Sequence, residues 1–142
     1  MAYTQRFPIR FDDVDYARVV YFPRLFVYCH WTFENFFTEE ARLPYSEMLG
    51  KRKVGFPIVH TEADFKAPLR FGDTCRIVME AVQVGSGSLS NRYRLYLGES
   101  QKLCAVVQIV NASIAMDTFK PTPLPEDVRE AFLNHLVGYR SA

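Results

Sequence analysis

Three carboxylates lie near the start of the chain, directly before a segment with the pattern of a helix start. They belong to Asp12, Asp13 and Asp15, and Pro23 follows where the first helical turn tolerates a missing N–H. The first N–H groups of a helix have no acceptor inside it and carry a partial positive charge, so they can hold an oxyanion while a carboxylate attacks or activates water. This arrangement predicts hydrolysis of an activated acyl group.

The same acidic turn also has a purely structural interpretation, because Asp side chains accept hydrogen bonds from local N–H groups at helix starts and in turns. Other catalytic patterns are missing from the sequence. No G-x-S-x-G elbow supports a serine nucleophile. Neither an H-E-x-x-H motif nor a paired-Cys motif is present, so no metal is expected. The Gly and Ser residues at positions 85–88 lack the G-K-[ST] ending of a phosphate-binding loop.

The length and composition bound the class of protein. A chain of 142 residues predicts one domain, residues 1–142. The 12 Phe and 8 Tyr residues exceed what a small core needs, which indicates apolar surface committed to a subunit interface or a ligand pocket. A formal net charge of +1 argues against a nucleic-acid partner held by bulk charge.

The cysteines and the N-terminus indicate the compartment. Cys29, Cys75 and Cys104 are odd in number and widely spaced, as expected for buried thiols in a reducing environment. The first ten residues alternate polar and apolar types without a long apolar core, so neither a signal peptide nor a membrane association is expected. We therefore expect a cytoplasmic protein.

Periodicity divides the chain into strands and helices. Alternation at the N-terminus predicts a strand in which Pro8 favours a sheet edge, and apolar residues at three- and four-residue steps predict one long helix after it. The predicted elements in chain order are a strand over residues 3–11, helices over 22–41 and 45–49, strands over 56–67, 74–84, 89–97 and 103–116, and a helix over 124–136.

This order of elements predicts an α+β domain in which an antiparallel sheet wraps one long helix. The short polar loops between the last four strands favour consecutive antiparallel pairing. One face of the sheet would remain uncovered, and the surplus of aromatic residues favours a partner subunit on it.

Two separated motifs resemble those of a known family. Residues 13–22, DVDYARVVYF, look like the D-x-D-x-x-G-x-V-x-[YF] signature of the hotdog-fold acyl-CoA thioesterases of the 4-hydroxybenzoyl-CoA thioesterase type. Residues 64–73, DFKAPLRFGD, look like the family's strand followed by a P-x-x-x-G-D turn. The resemblance covers residues 3–118 and implies a hotdog fold, in which about five antiparallel strands wrap a central helix.

The resemblance also implies roles for individual residues. The catalytic carboxylate of the family falls on Asp15, and Asp13 then has a structural role. The group that polarises the thioester carbonyl is the backbone N–H of Phe22, with Tyr21 lining the site. Coenzyme A would be part of the substrate, so no separate cofactor is expected.

The chain departs from the family pattern in two places. Arg18 stands where the signature has Gly, which implies either a different loop backbone or a contact between Arg18 and the pantetheine or phosphates of CoA. The sequence at 85–88 replaces a basic cluster that grips the nucleotide in some members. Either other cations would then hold the phosphates, with Lys66, Arg70, Arg92 and Arg94 as candidates, or CoA would be held weakly at a solvent-exposed tail.

Three residues are candidates for selecting the acyl group. We expect it to run along the long helix beside Phe26 and His30, or under the strand that carries His60. His30 and Glu34 are four residues apart on one helix face, so they can also simply pair with each other. His135 is expected on the surface of the terminal helix.

The sequence thus predicts an acyl-CoA thioesterase that hydrolyses a small acyl group, with an aromatic group of the 4-hydroxybenzoyl kind compatible with the aromatic surroundings. Two alternatives remain. One is a non-catalytic module that binds acyl or aromatic ligands, and the other is a hotdog dehydratase or hydratase, although Gly55 stands where the H-F-P-x-x-P motif of the dehydratases has His. We expect a homodimer or homotetramer with the site at the subunit boundary.

Overall fold

The computed structural model of the chain describes residues 2–138. Within them, seven strands and three α-helices follow one another along the chain. The strands are β1 (Tyr3–Pro8), β2 (Val54–Gly55), β3 (Ile58–Phe65), β4 (Thr74–Val84), β5 (Ser88–Leu97), β6 (Leu103–Ala112) and β7 (Ile114–Ala115), and the helices are α1 (Phe22–Asn35), α2 (Tyr45–Gly50) and α3 (Glu126–Leu133).

Five strands form an antiparallel sheet in the order β1-β4-β5-β6-β3. The prediction of consecutive pairing is confirmed for β4, β5 and β6 but is wrong for β3, which pairs with β6 instead of β4. Neighbouring antiparallel strands are usually joined by a tight turn. The connection over residues 66–73 is longer than such a turn and carries the chain from one edge of the sheet to the other side of β5.

The long helix packs on one face of this sheet. The side chains of α1 that face it are Leu25, Tyr28, Cys29, Thr32 and Phe33, and all of them are buried. Alternate residues of β4, β5 and β6 are buried beneath the helix, among them Ile77, Met79, Tyr93, Leu95 and Val107. Full burial of such a side chain contributes about 1.5–3 kcal/mol. The structure confirms the α+β class and the hotdog arrangement.

The ends of several elements differ from the sequence-based prediction. β1 ends at Pro8, on the edge strand where Pro is tolerated, because Phe11–Asp13 form a turn of 3₁₀-helix. The long helix changes to π-helical geometry over Phe36–Glu40. The terminal helix is shorter than predicted, and its Phe132 ring packs 4.5 Å from that of Phe36.

His135 is buried, so its predicted place on the surface was wrong. Its ring meets that of Phe36 edge-on at 4.8 Å, and its Nε2 lies 3.5 Å from a carboxylate oxygen of Glu40. The cause is the path of the chain after α3, which turns back to the sheet so that the Ala81 N–H donates to the His135 carbonyl.

The outward face of the sheet is charged rather than aromatic. Glu80 accepts hydrogen bonds from both Arg92 and Arg94, and Arg76 lies 4.4 Å over the ring of Tyr96. The most exposed aromatic rings lie elsewhere, mainly near the N-terminal end of α1. A partner subunit on the open face of the sheet stays a prediction.

The three cysteines are free and buried, as predicted. Burial raises the pKa of the Cys75 thiol to about 12. Within residues 2–138, no helix combines the length and the apolar character that crossing a membrane requires.

Candidate active site

Asp15 begins the tip of a short hairpin that leads into α1. Val14 bridges Val20, the Asp15 N–H donates to the Val19 carbonyl at 3.0 Å, and the Arg18 N–H donates back to the Asp15 carbonyl at 2.9 Å. A turn closed in this way, followed by a left-handed residue, is a common three-residue hairpin loop. The hairpin therefore fixes the backbone of Asp15 relative to the start of the helix.

Arg18 occupies the left-handed position of this loop, with φ at 67°. Gly adopts that conformation freely, whereas a residue with a Cβ is strained by about 1 kcal/mol. Arg18 therefore adopts the left-handed backbone that the Gly of the family signature would adopt. The replacement of Gly by Arg does not change the backbone of the loop.

Asp13 lies at the base of the hairpin and is 2% exposed. One carboxylate oxygen accepts from the Tyr28 hydroxyl at 2.5 Å and from the Arg10 N–H at 2.9 Å, and the other accepts from the Arg24 Nε at 2.8 Å. The Asp13 carbonyl also accepts the Tyr21 N–H. Asp13 therefore ties the hairpin to α1, in agreement with the structural role that the resemblance implies.

These contacts also set the charge states of the pair. Burial alone would raise the pKa of the Asp13 carboxyl, but hydrogen bonds from Tyr28, Arg10 and Arg24 outweigh it and lower that pKa below its usual range. Burial and the Asp13 carboxylate raise the pKa of the Tyr28 hydroxyl well above its usual value. Asp13 is consequently held as a carboxylate.

The Asp15 side chain is exposed and almost unengaged. Its Oδ1 accepts the Ala17 N–H at 2.9 Å, a bond within the turn. It does not cap α1, whose N-cap residue is Tyr21 without any side-chain capping bond. Among residues 2–138, Oδ2 of Asp15 has no hydrogen-bond partner, so a carboxylate oxygen is free to act on a ligand.

The start of α1 presents one unusual donor. Pro23 has no N–H, and the Arg24 N–H donates to the Tyr21 carbonyl at 2.8 Å. The Phe22 N–H is the first of the helix and finds no backbone acceptor within the described chain. It lies at the positive end of a helix of 14 residues, which favours a developing negative charge.

Phe22 opens onto a cavity of about 330 Å³ that we call the helix-start cavity. Its walls come from the hairpin, from α1, and from the end of β3 with the chain after it: Val19, Val20, Phe22, Leu25, Phe65, Lys66, Ala67, Pro68 and Leu69. The Phe65 ring lies 6.1 Å from that of Phe22 and 6.5 Å from that of Phe26. Phe65 was not predicted as a site residue, because only its pairing with the inward-facing Ala105 shows that its side chain lies on the helix side of the sheet.

Two of the predicted acyl-contacting residues share a face of α1, four residues apart. Phe26 borders the helix-start cavity through Phe65, whereas His30 lines a second, apolar cavity of about 470 Å³ with Tyr45. His30 Nε2 also lies 3.3 Å from Glu34, so the simple pairing considered from the sequence is present.

His60 is not brought to either cavity. It pairs with Val110 in β6 and therefore shares the outward face of the sheet, opposite to α1. The side chain is exposed, and its Nε2 lies 2.9 Å from Glu62. Its predicted contact with the acyl group thus gains no support from the fold.

The predicted phosphate-binding cations separate into two groups. Arg92 and Arg94 are paired with Glu80 on the outward face of the sheet. Lys66 lines the helix-start cavity, and Arg70 is exposed in the loop before β4. Tyr21 is also exposed, with its ring 5.5 Å from that of Phe22.

A third concave surface lies at the tip of the hairpin. We call it the aromatic groove, and its volume is about 720 Å³. Its lining residues are Phe11, Asp12, Val14, Asp15, Tyr16, Arg18 and Phe71. Asp15 and Arg18 of the hairpin tip line this groove, whereas Val19, Val20 and Phe22 line the helix-start cavity.

Known proteins were compared with the chain. The family model of the thioesterase-like superfamily matches residues 9–132. A 1,4-dihydroxy-2-naphthoyl-CoA hydrolase of Synechococcus elongatus is 32% identical over 125 residues, which cover 86% of this chain and 88% of the relative. The same enzyme of Rippkaea orientalis is 32% identical over 123 residues, with the same coverage.

Solved structures give a consistent result. The crystal structure of a 1,4-dihydroxy-2-naphthoyl-CoA thioesterase from Synechocystis superposes with a TM-score of 0.85 at 26% identity, covering 93% of this chain and 96% of that one. A gentisyl-coenzyme A thioesterase superposes with a TM-score of 0.81 at 26% identity, covering 89% and 99%.

Proposed function

The chain belongs to the thioesterase-like superfamily and is a thioester hydrolase, and on that premise we propose that it cleaves aromatic acyl-CoA thioesters to the free acid and CoA. The similar proteins described above are named for 1,4-dihydroxy-2-naphthoyl-CoA and for gentisyl-coenzyme A. The aromatic walls of the helix-start cavity, Phe22 and Phe65, support an aromatic acyl group here. A 4-hydroxybenzoyl group is a candidate that is smaller than both of these acyl groups.

One observation carries the proposal. The hairpin that presents the free carboxylate oxygen of Asp15 leads directly into a helix whose first N–H, that of Phe22, has no backbone acceptor among residues 2–138. A carboxylate and an unpaired donor at a helix start are the two groups that acyl transfer to water requires.

In the proposed reaction the thioester carbonyl accepts the Phe22 N–H, which stabilises the negative charge that develops on its oxygen. Asp15 either takes a proton from the attacking water or attacks the carbonyl carbon itself to form a mixed anhydride that water then opens. In both routes the C–S bond breaks and CoA leaves as the thiol. Coenzyme A is part of the substrate, and the reaction uses no further cofactor.

The dehydratase alternative lacks the His that its motif uses for proton transfer, because Gly55 stands at that position. A non-catalytic binding module remains the alternative that the experiment below separates.

We also propose that the chain assembles into a homodimer or homotetramer in a reducing cytoplasm. The edge strand β3 exposes Ile58, Val59 and Phe65, and no other strand of residues 2–138 pairs with its outer side. An exposed apolar edge strand has unpaired N–H and C=O groups and favours pairing with a second chain.

Thiol release tests the proposed function. The panel contains 4-hydroxybenzoyl-CoA, 1,4-dihydroxy-2-naphthoyl-CoA and butyryl-CoA, with product acids identified by mass spectrometry. We expect kcat/KM to be higher for the aromatic thioesters than for butyryl-CoA. Binding of aromatic acyl-CoA without release of thiol would instead support the non-catalytic module.

A further inference from the structure

The aromatic groove has no role in the reaction as described so far, although Asp15 forms part of its lining. It is about twice as large as the helix-start cavity, 720 against 330 Å³. The rings of Phe11 and Phe71 are 78% and 61% exposed and meet edge to face at 5.9 Å. Apolar side chains gathered on a surface in this way mark a site for a ligand or a partner.

We infer that the aromatic groove binds the nucleotide half of the CoA thioester, an inference that rests on the function proposed above. The tip of the hairpin, with Asp15 and Arg18, lines the groove, and the residues that follow it, Val19, Val20 and Phe22, line the helix-start cavity. A thioester whose carbonyl reaches the Phe22 N–H therefore has its acyl group in the smaller cavity. The CoA arm then leaves on the side of the groove.

The chemistry of the lining suits a purine nucleotide. Flat aromatic faces such as those of Phe11 and Phe71 stack on a base, whichever base it is. Arg18 supplies a guanidinium, which binds phosphate through paired, charge-assisted hydrogen bonds. Arg18 also holds a strained left-handed backbone where Gly would be relaxed, and such outliers are concentrated at ligand-binding sites.

The arginines without an ion pair are consistent with a CoA arm that leaves on the side of the groove. Arg10 and Arg70 directly precede the two rings of the groove, and both are exposed. Among the described residues, neither of them nor Arg18 forms an ion pair. The carboxylates of Asp12 and Asp15 repel phosphates from their own side of the groove, so the phosphate groups are expected at the arginines.

Two thioesters of one acid test the inference. They are 4-hydroxybenzoyl-CoA and 4-hydroxybenzoyl-N-acetylcysteamine, which lacks the nucleotide. For Phe11→Ala and for Phe71→Ala, we expect the ratio of kcat/KM for the CoA thioester to that for the short thioester to fall about tenfold, because one stacking surface is lost. Tyr96→Ala removes a ring on the outward face of the sheet, outside both cavities and the groove, and is expected to keep the ratio of the wild type.

A binding measurement gives a second readout that does not depend on turnover. Titration calorimetry with adenosine 3′,5′-bisphosphate is expected to show binding to the wild type, about tenfold weaker binding to Phe71→Ala, and weaker binding with a smaller salt dependence for Arg18→Gln.

Several results would overturn the inference. An unchanged ratio in both Phe→Ala variants, with normal thiol release, would leave the thioesterase proposal intact and remove the nucleotide from the groove. An equal loss for both thioesters would assign the groove to the acyl end. A smaller mass of Phe11→Ala in light scattering would make the groove a contact between copies of the chain. Absence of thiol release from both thioesters in the wild type would overturn the proposed function itself, and with it this inference.

Discussion

The carboxylate of Asp13 is buried and accepts hydrogen bonds from Tyr28 and Arg24, whereas that of Asp15 is exposed and accepts one bond, from Ala17 in its own turn. The two residues are neighbours on one hairpin and have the same chemistry. Donors that surround a carboxylate hold its charge and its position, which serves structure. The carboxylate of Asp15, which has a free oxygen at the tip of the hairpin, can instead bind or react with a ligand.

The largest expected effect separates the two carboxylates by stability. Asp13→Asn removes the charge that Arg24 and Tyr28 are arranged to meet, and breaking one partner of a buried pair costs about 3 kcal/mol. Urea unfolding of the variant is expected to show this decrease in the free energy of unfolding. A change below 0.5 kcal/mol, on the scale of an ordinary surface substitution, would remove Asp13 from its anchoring role.

Low pH should reduce the contribution of Asp13 to the free energy of unfolding. The pKa of its carboxyl is lower in the folded chain than in the unfolded chain, so its contribution to stability is fully present above about pH 4, the unfolded pKa. That contribution is lost as the pH falls through the lower, folded pKa. The difference in unfolding free energy between the wild type and Asp13→Asn should therefore shrink in this acidic range, and a constant difference down to pH 2 would contradict the assignment.

The helix-start donor can be removed without removing the helix. Pro suits the first helical position, and Tyr21, with φ −64° and ψ 124°, already has a backbone that a following Pro accepts. Phe22→Pro loses both the ring and the N–H, whereas Phe22→Ala loses only the ring. We expect kcat of Phe22→Pro to be about a hundredfold below that of Phe22→Ala. Equal kcat values in two folded variants would exclude the N–H as the group that polarises the carbonyl.

The two histidines offered from the sequence should differ in their effect on substrate preference. His30 lies one helical turn beyond Phe26, which borders the helix-start cavity through Phe65, and His60 lies on the outward face of the sheet. His30→Ala is expected to change the ratio of kcat/KM for aromatic against short aliphatic acyl-CoA about fivefold, since one pocket contact is worth on the order of 1 kcal/mol. His60→Ala is expected to change it less than twofold. The reverse order would move the acyl pocket to the outward face.

The smallest expected effect concerns the hairpin backbone. Arg18→Gly relieves the left-handed strain but adds freedom to the unfolded chain, so we expect a net gain in stability of about 0.5 kcal/mol. Arg18→Ala keeps the strain and removes the guanidinium, so its stability should equal that of the wild type. A loss of stability in Arg18→Gly would show that the Arg18 side chain supports the fold.

The secondary-structure elements were predicted well from the sequence, because hydrophobic periodicity depends only on residues that are close together in the chain. The strand over residues 74–84 and the start of the long helix at Phe22 agree with the structure to the residue. The pairing of β3 with β6 was not predictable in the same way, since it depends on where a loop carries the chain. His135 was misplaced for a related reason: its burial comes from a turn of the chain back to β4, after the helical pattern has ended.

The residues of the candidate site likewise differ in whether the sequence alone could predict them. Asp15 and Phe22 belong to one continuous motif, so a resemblance between short sequences was enough to propose them. Phe65 ends β3 and Phe71 lies in the connection to β4, and only the fold brings them to the helix start and to the ring of Phe11. Both belong to the second motif of the resemblance, but that motif assigns neither of them to the wall of a site.

The kinetic effect of Asp15→Asn tests the central claim most directly. The substitution keeps the shape of the side chain and its turn hydrogen bond with Ala17, so the free energy of unfolding should stay within 0.5 kcal/mol of the wild type. Asp117→Asn makes the same charge change at an exposed carboxylate beside Lys53 and serves as the control. We predict that kcat for thiol release from 4-hydroxybenzoyl-CoA falls at least about a hundredfold in Asp15→Asn and does not change in Asp117→Asn. Near-normal kcat in a folded Asp15→Asn protein would contradict the assignment of Asp15 as the catalytic carboxylate.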